Sequence, residues 1–376
     1  MQKAKKIFTL FCVIFMGVVV ISCTNNSGDV EAFNFEEHNL LVAGRYNILN
    51  YEYNSELNDY ELIAEGEVNK SIIDIAKNDE GVFAITGSLQ SSTDGWNELI
   101  KLNQQMEVVE TVEFDSMGAL AVGKDRVYIS ADEALIVLDN DLNELGRVTL
   151  EFDFYSDTSI SKNAHDMIFY KDEEAVYLLD NVVMPVFICK VNVEDPGNPE
   201  MTGERLIADT YPHLDDHWLD LENNQWVIVK SYGHRHGNGQ ELLFYSLDEI
   251  EQQINEQVIY ENIYEPVGEE MRTQGKKVID STSFSPIWAL IESEEGMYLS
   301  RVVGGEKDEI VFENEVELQL NEERSKVKKR GDFVFVSAVG EDSEVKVFSG
   351  EGQNVREILD INFVDDIKAI NNVVPY

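Results

Sequence analysis

Basic residues are scarce in this chain of 376 residues: Lys and Arg number 29 against 72 Asp and Glu, and the formal net charge is −43. A surface this acidic repels nucleic acid and anionic lipid headgroups. We therefore expect no nucleic-acid partner. Such a surface favours cations, cationic partners or a salty medium, and we expect the charge to reflect habitat or solubility more than a ligand. The one basic cluster, "KVKKR" at 326–330, predicts a solvated strand edge.

Enzyme motifs are also missing. The sequence contains no nucleophile elbow, P-loop, dinucleotide fingerprint or H-E-x-x-H pair. Cysteine is rare, with three residues at positions 12, 23 and 189. The first two fall in an N-terminal targeting segment, so Cys189 is left alone and an intramolecular disulfide is excluded. Cys189 lies in the apolar run "PVFICKV", which predicts a buried, inert thiol.

The N-terminus has the composition of an export signal. "MQKAKK" is a short basic region, and the apolar run of 16 residues that follows is short for a transmembrane span. It ends in "VISC", residues 20–23, which resembles the lipobox of bacterial lipoproteins. The resemblance implies that residues 1–22 are a signal peptide and that Cys23 carries lipid, with an uncleaved signal anchor as the alternative. We then expect a flexible tether over 23–38 and one domain over 39–376.

This resemblance also implies a place in the cell. A lipid at Cys23 makes the membrane the first partner, and we expect an exported protein anchored in the cell envelope, at the outer membrane or the extracellular face. Thr24 supports the outer membrane weakly, because an Asp at this position marks inner-membrane retention in some Gram-negative bacteria.

The rest of the chain alternates apolar and polar residues between turns, which predicts half-buried antiparallel strands and an all-β fold. The first strand of each repeat centres near 73, 120, 167, 219, 288, 328 and 368, mostly about 40 to 50 residues apart. That period is typical of four-stranded β-propeller blades. It favours seven blades, with six or eight, or a two-domain β-sandwich, as alternatives.

Strands from both ends of the chain should share the last blade and close the ring. "DIKAI" and "NVVPY" at the C-terminus provide two strands, and "NLLVAGRYNILNYEY" and "YELIAEGEV" at the N-terminus provide two more. The long interval before 288 predicts an insertion at about 246–280. It opens with "SLDE", a capping box that predicts a short helix.

One segment resembles a known repeat. "PVFICKVNVEDPGNPEMTGE", 185–204, has an apolar strand, a D-P-x-x-P turn fixed by Pro196 and Pro199, and a second strand. This is similar to the LVIVD repeat of secreted bacterial and archaeal propellers. The resemblance implies a propeller at the cell surface, and it implies no catalytic residues.

The histidines are the most distinctive candidates for chemistry. "PHLDDHW" at 212–218 and "YGHRHGNG" at 232–239 hold four of the six in the chain. Antiparallel pairing of the two strands around them places His217 near Ile228 and His213 near Tyr232. Connections of both kinds open on one face of a propeller. We therefore expect six side chains to converge there: His213, Asp215, Asp216, His217, His234 and His236.

Imidazole and carboxylate groups suit zinc, copper or nickel, so this set predicts a candidate metal site. Two alternatives stay open. The residues are exposed loop side chains, with His217 partly packed under Trp218, or one histidine acts on a ligand as an acid or base. "DNDLNE" at 139–144 resembles the start of a calcium loop, with a plain β-turn as the alternative.

Three aromatic or imidazole side chains on long loops are candidates for the ligand face: Trp96, Tyr155 and His165. An exposed Trp96 would suit sugar stacking or a protein contact, although it could equally pack into its own blade. Taken together, the sequence predicts an envelope lipoprotein whose propeller binds or scaffolds a protein or glycan without catalysis. The alternative is a metal-binding protein, or a metal-dependent enzyme, that uses the histidine-rich face.

Overall fold

The computed structural model describes residues 39–54, 56, 59–87, 96–153, 159–161, 163–180, 186–207, 213–231, 240–248, 277–284, 286–293, 295–304, 310–318, 326–330, 333–338, 344–349, 356–362 and 372–375. These residues form small antiparallel sheets, seven of which are arranged in a ring as the blades of a β-propeller. The predicted all-β fold with seven blades is confirmed.

The strands follow one another along the chain from blade to blade. The N-terminal strands are β1 (Leu40–Ala43), β2 (Asn47–Asn54) and β3 (Asp59–Glu67). The first blade contains β4 (Ser71–Asn78), β5 (Gly81–Gly87), β6 (Trp96–Leu102) and β7 (Val108–Glu113). The second blade contains β8 (Met117–Val122), β9 (Arg126–Ala131), β10 (Ala134–Asp139) and β11 (Glu144–Thr149). A separate pair, β12 (Glu151–Asp153) and β13 (Ser159–Ser161), follows it.

The third blade contains β14 (Asp166–Tyr170), β15 (Ala175–Leu179), β16 (Val186–Asn192) and β17 (Glu200–Ile207). The fourth has three described strands, β18 (His213–Asp220), β19 (Gln225–Ser231) and β20 (Gln240–Ser246). The fifth contains β21 (Lys277–Ser281), β22 (Ile287–Ser293), β23 (Gly296–Gly304) and β24 (Ile310–Leu318). The sixth contains β25 (Lys326–Arg330), β26 (Phe333–Ala338), β27 (Glu344–Ser349) and β28 (Arg356–Asn362), and β29 (Asn372–Pro375) ends the chain.

The closing blade joins the two ends of the chain, as predicted. The number of strands that each end contributes differs from the predicted two and two. The strand order of this blade is β29-β1-β2-β3, so one strand is C-terminal and three are N-terminal. "NLLVAGRYNILNYEY" forms two strands because the chain reverses at Gly44–Tyr46, where Gly44 N donates to Asn47 O at 2.9 Å. "DIKAI" lies outside the described residues.

The prediction that the strand near 288 is the first of its blade was wrong. The first strand of this blade, the fifth, is β21, and the strand at 288, β22, is the second. The helical insertion predicted at about 246–280 therefore overlaps a strand at its end. Leu247 and Asp248 are helical, and residues 249–276 lie outside the described part of the chain. The predicted strand–turn–strand at 185–204 is present, as β16, a turn at Asp195–Asn198 and β17.

The core lies between neighbouring blades, because each blade buries both faces against the next. Tyr177 on β15 packs edge-to-face on Trp226 of β19, with ring centroids 5.1 Å apart and planes at 82°. Trp218, Trp226 and Trp288 are fully buried. Cys189 is buried in the core between the second and third blades, and burial raises the pKa of its thiol well above the ordinary value, which fits the predicted inert cysteine.

The innermost strands of the blades, β4, β8, β14, β18, β21, β25 and β29, surround the central channel. Each begins at one end of the channel, which we call the mouth end. Each finishes at the other end, the turn end, where all but the C-terminal β29 connect to the second strand of the same blade. No helix in the described residues is long and apolar enough to cross a membrane. Residues 1–38, including Cys23, lie outside them.

Candidate functional site

Four innermost strands carry an aspartate close to the mouth end, each two residues after a buried apolar residue. They are Asp74 on β4, Asp166 on β14, Asp216 on β18 and Asp280 on β21. In β4, β18 and β21 the pairing register shifts immediately before the aspartate, which is a β-bulge. A bulge redirects the side chain next to it. We infer that this local irregularity turns the carboxylates toward the channel.

Three of these carboxylates each make the same kind of local hydrogen bond. The Oδ1 atoms of Asp74, Asp166 and Asp216 each accept the backbone N–H of the following residue, at 2.9, 2.8 and 2.8 Å. The fourth, Asp280, reaches the next blade instead. Its Oδ2 accepts the Val327 N–H at 2.6 Å, and its Oδ1 accepts from Lys326 Nζ at 2.9 Å.

These side chains line one cavity of about 440 Å³, which we call the mouth cavity. It is lined by residues of six of the seven innermost strands, and Lys326 and Lys328 of β25 supply positive charge. The carboxylate of Asp280 lies 2.9 Å from Lys326 Nζ and raises the pKa of the Lys326 ammonium. On β8 the lining residues are Gly118, Leu120 and Val122, and a Cβ at Gly118 would lie 1.7 Å from the Ala164 carbonyl oxygen. Glycine is therefore required there for the close approach of β8 and β14.

His217 is the best-defined polar group in the mouth cavity. It is 2% exposed, and its Nδ1 accepts the indole N–H of Trp226 at 3.1 Å. A neutral imidazole that accepts at Nδ1 carries its proton on Nε2. Burial lowers the pKa of His217 to about 4, so the ring is neutral at pH 7. Its Nε2 has no hydrogen-bond partner in the described structure and lies 3.6 Å from Asp166 Oδ2.

Asp216 is the second such group. The residue is 7% exposed, and its Oδ2 is buried close to the Ser281 hydroxyl. Burial raises its pKa well above the ordinary value, and the charges of Asp280 and Asp166 add to this, while hydrogen bonding with the Ser281 side chain opposes it. The pKa of Asp166 moves the other way. Burial raises it, but the neighbouring His217, His165 and Lys328 together hold it below its usual range.

Asp74 gives a measurable pH dependence. Burial raises its pKa to about 6 from 3.8, and Lys328 opposes the shift. Between these values the folded protein holds a proton that the unfolded chain has released, so the free energy of unfolding falls as pH rises from about 4 to about 6. We expect Asp74→Asn to remove about 1–2 kcal/mol of this fall, a two-unit shift reduced for partial exposure. Urea unfolding of both proteins from pH 4 to 7 tests this, and parallel profiles would contradict it.

The structure brings together part of the predicted metal set. His217 pairs with Ile228 as predicted, but His213, which begins β18, pairs with Ser231 and not with Tyr232, because the register shifts between Leu214 and Asp216. Both histidines therefore lie in a strand and not in a loop. Asp215 is exposed and accepts a hydrogen bond from Ser231 Oγ. The side chain of His213, and all of His234 and His236, lie outside the described structure.

Among the described side chains, no three histidine, cysteine or carboxylate groups are arranged to hold a metal ion. Zinc, copper or nickel binding by the full set of six residues stays a prediction. His217 packs on Trp226, with ring centroids 5.7 Å apart, where the alternative interpretation expected Trp218.

Of the other candidate residues predicted from the sequence, some lie within the described structure and some lie outside it. His165 lines the mouth cavity, its buried Nδ1 lacks a described partner, and burial lowers its pKa. Trp96 begins β6, but its side chain is outside the description, as is Tyr155. In the 139–144 segment Asp139 Oδ1 accepts the N–H groups of Asp141 and Asn143 at 2.8 and 2.9 Å, so this segment forms a β-turn. Calcium binding by this segment stays a prediction.

Sequence reasoning missed Asp74, Asp166 and Asp280. The basic cluster at 326–330, predicted near the first strand of a blade, forms β25, an innermost strand. Lys326 and Lys328 line the mouth cavity, and the Lys326 side chain is 46% exposed. A signal was present in the sequence: an apolar residue, any residue and then Asp recur at 72–74, 164–166, 214–216 and 278–280.

No protein-family model and no curated protein matches the sequence. Several solved structures share the fold. The periplasmic gluconolactonase of Pseudomonas aeruginosa is 10% identical with a TM-score of 0.50, covering 90% of this chain and 98% of that one. A candidate 6-phosphogluconolactonase of Bacteroides uniformis is 11% identical with a TM-score of 0.53, covering 91% and 100%. A Lactobacillus plantarum protein is 9% identical with a TM-score of 0.54, covering 90% and 99%. At these identities the likeness shows the fold alone.

Proposed function

We propose that this protein is an exported propeller that binds a small polyhydroxylated ligand, a saccharide or sugar derivative, in its mouth cavity. One observation carries the proposal. His217 Nε2 is buried without a hydrogen-bond partner among the described residues, and it lies in the same cavity as the buried Asp216 Oδ2 and Ser281 Oγ, which are close enough to hydrogen-bond to each other. A buried polar atom without a partner costs about 1–3 kcal/mol, so the His217 N–H favours a bound molecule that accepts its hydrogen bond.

The chemistry of the cavity favours hydroxyl groups. His217 Nε2–H can only donate, the Ser281 hydroxyl can donate and accept, and the Asp216 carboxyl, whose pKa is raised, can also donate when it is protonated. A sugar hydroxyl both donates and accepts, so adjacent hydroxyls of one sugar could form hydrogen bonds with all three of these side chains. The lining carries both carboxylates and the ammonium groups of Lys326 and Lys328, so it suits a neutral or weakly charged ligand better than a strongly charged one. Its volume of about 440 Å³ is within the range of small-molecule sites.

The proposed location is the cell envelope, with lipid at Cys23 as the membrane anchor. The basic, apolar and Cys-ending segments of residues 1–23 support it. The Pseudomonas aeruginosa protein that shares the fold is periplasmic, which is consistent with export. In this setting the saccharide would come from an envelope glycan or from the medium.

Calorimetric titration of residues 24–376 with glucose, N-acetylglucosamine, sucrose and gluconate tests the proposal. We expect at least one to bind, and Asp216→Asn and His217→Gln each to weaken binding about 10- to 100-fold, the effect of losing one buried hydrogen bond. Asp172→Asn is the matched control, because Asp172 is exposed in the turn after β14, at the turn end. Absence of binding by the whole panel, or equal losses in all three variants, would contradict the proposal.

A second candidate, hydrolysis of a sugar lactone or ester, follows from the opposite pKa shifts in the cavity. The pKa of Asp216 is raised and that of Asp166 is lowered, so one carboxyl can donate a proton while the other accepts one. The lactonase descriptions of two proteins sharing the fold suggest glucono-δ-lactone as the assay substrate. Catalysed hydrolysis lost in both Asp166→Asn and Asp216→Asn would support an enzyme. Binding without turnover would leave a binding protein.

A further inference from the structure

A second cleft lies at the turn end of the channel, at the seam between the closing blade and the first blade. It has a volume of about 520 Å³, and we call it the seam cleft. Residues from the turns β4–β5 and β6–β7 line it together with Asn39, which precedes β1. The other end of β1 lies at the mouth end, where Arg45 Nε donates to Ser71 Oγ at 3.3 Å. The seam cleft and the mouth cavity share one lining residue, Lys77, and all their other lining residues differ.

Amide side chains are concentrated in the seam cleft. Five of its lining residues carry one: Asn39, Asn50, Asn103, Gln104 and Gln105. A carboxamide offers two donors and an acceptor, which matches the hydroxyl and acetamido groups of a glycan. Asn39 Oδ1 is buried and has no hydrogen-bond partner within the described residues, so it is one acceptor that a ligand could satisfy.

The turn that presents Gln104 and Gln105 is held in one conformation. Asn103 Oδ1 accepts the N–H groups of Gln105 and Glu107 at 2.9 and 3.0 Å, and Met106 adopts a left-handed φ of 59°. Gly66 of β3 packs directly on this turn, because a Cβ there would lie 2.2 Å from Met106 O. The backbone that carries the two exposed glutamine side chains is therefore fixed before a ligand binds, which lowers part of the entropy cost of binding.

The other lining residues determine the charge of the seam cleft and provide its apolar surface. Glu52, Asp79 and Glu80 face a single cation, Lys77, so the cleft disfavours anionic ligands. Ile63, which is 51% exposed, gives the cleft an apolar wall suited to the C–H face of a sugar ring. We propose that the seam cleft is a second binding site, separate from the mouth cavity, that takes a neutral glycan chain.

The test uses residues 24–376 titrated in a calorimeter with maltotetraose, cellotetraose and triacetylchitotriose. We expect one of these neutral oligosaccharides to bind and Gln105→Ala to weaken it about tenfold, the effect of one lost hydrogen bond. The matched control is Asp141→Ala. Asp141 holds the corresponding place in the β10–β11 turn, where Leu142 also has a φ of 59° and Asp139 accepts the same two N–H groups as Asn103.

The mouth variant Asp216→Asn distinguishes this proposal from the proposed function. Oligosaccharide binding that survives Asp216→Asn and Asp141→Ala but weakens in Gln105→Ala supports the seam cleft, whether or not the mouth cavity binds anything. Three results would overturn the proposal: no oligosaccharide binds, Gln105→Ala and Asp141→Ala behave alike, or Asp216→Asn abolishes the binding and so moves it to the mouth cavity.

Discussion

Replacement of Trp226 by alanine is expected to lower the free energy of unfolding by about 3–5 kcal/mol, the usual cost of truncating a large buried aromatic side chain. The indole is fully buried between the third and fourth blades, where it packs on Tyr177 and donates to His217 Nδ1. Its loss leaves a cavity between two blades and a buried imidazole acceptor without its donor. Urea unfolding at pH 7 measures the change.

Two companion variants separate packing from hydrogen bonding. Trp226→Phe keeps most of the ring area and loses the donor, so we expect a smaller loss of about 1–3 kcal/mol. Leu145→Ala, at a residue 41% exposed on β11, should change stability by less than about 0.5 kcal/mol. A loss in Trp226→Ala no larger than that in Leu145→Ala would show that the seam between the third and fourth blades is not packed as described.

Asp280→Ala is expected to cost about 2–3 kcal/mol. The carboxylate is almost fully buried, and it accepts the Val327 N–H and the Lys326 ammonium across the seam between the fifth and sixth blades. Removing it leaves a backbone donor unpaired, which costs about 1–3 kcal/mol. The Lys326 side chain is 46% exposed, so water replaces its lost partner and the ion pair itself adds little.

Asp280→Asn is the matched variant for this prediction. Its amide oxygen can still accept the Val327 N–H, so we expect it to recover most of the stability that alanine loses. Thermal and urea unfolding of the three proteins at pH 7 provide the comparison. Equal losses in Asp280→Asn and Asp280→Ala would place the effect in the charge and not in the backbone hydrogen bond.

The sequence was sufficient to predict the propeller because repetition carries the information. A period near 45 residues and alternation within each strand are properties of a single chain, and both survive low similarity to known proteins. The pairing of His217 with Ile228 was correct for the same reason, since a short turn fixes the register of a hairpin.

Positions within a blade were harder to predict. Alternation looks the same in every strand of a blade, so "SPIWALIES" was taken for an innermost strand when it is the second, and the five-residue β21 was overlooked. The tight turn at Gly44–Tyr46 lacks the usual Asn-Gly or Pro signals, so β1 and β2 read as one strand and the closing blade was divided wrongly.

The candidate site was only partly predictable because it is made by ring closure. Sequence reasoning selected Asp216, His217 and His165 for their residue types and their places near the mouth end. Asp74 and Asp280 are far from them in the chain, and they join the same cavity only because innermost strands surround one channel. The bulges that precede them and the pairing of His217 with Trp226 are tertiary features that residue types do not specify.

The imidazole ¹⁵N resonances of His217, assigned with His217→Gln, test the central claim most directly. They should be followed during titration with the small saccharide that binds best in calorimetry. If the mouth cavity is the binding site, the Nε2 signal of His217 shifts saturably with the calorimetric Kd, and Asp216→Asn weakens both together. If the heat of binding saturates while the His217 signals stay unmoved, the ligand binds elsewhere and the mouth cavity is not the site.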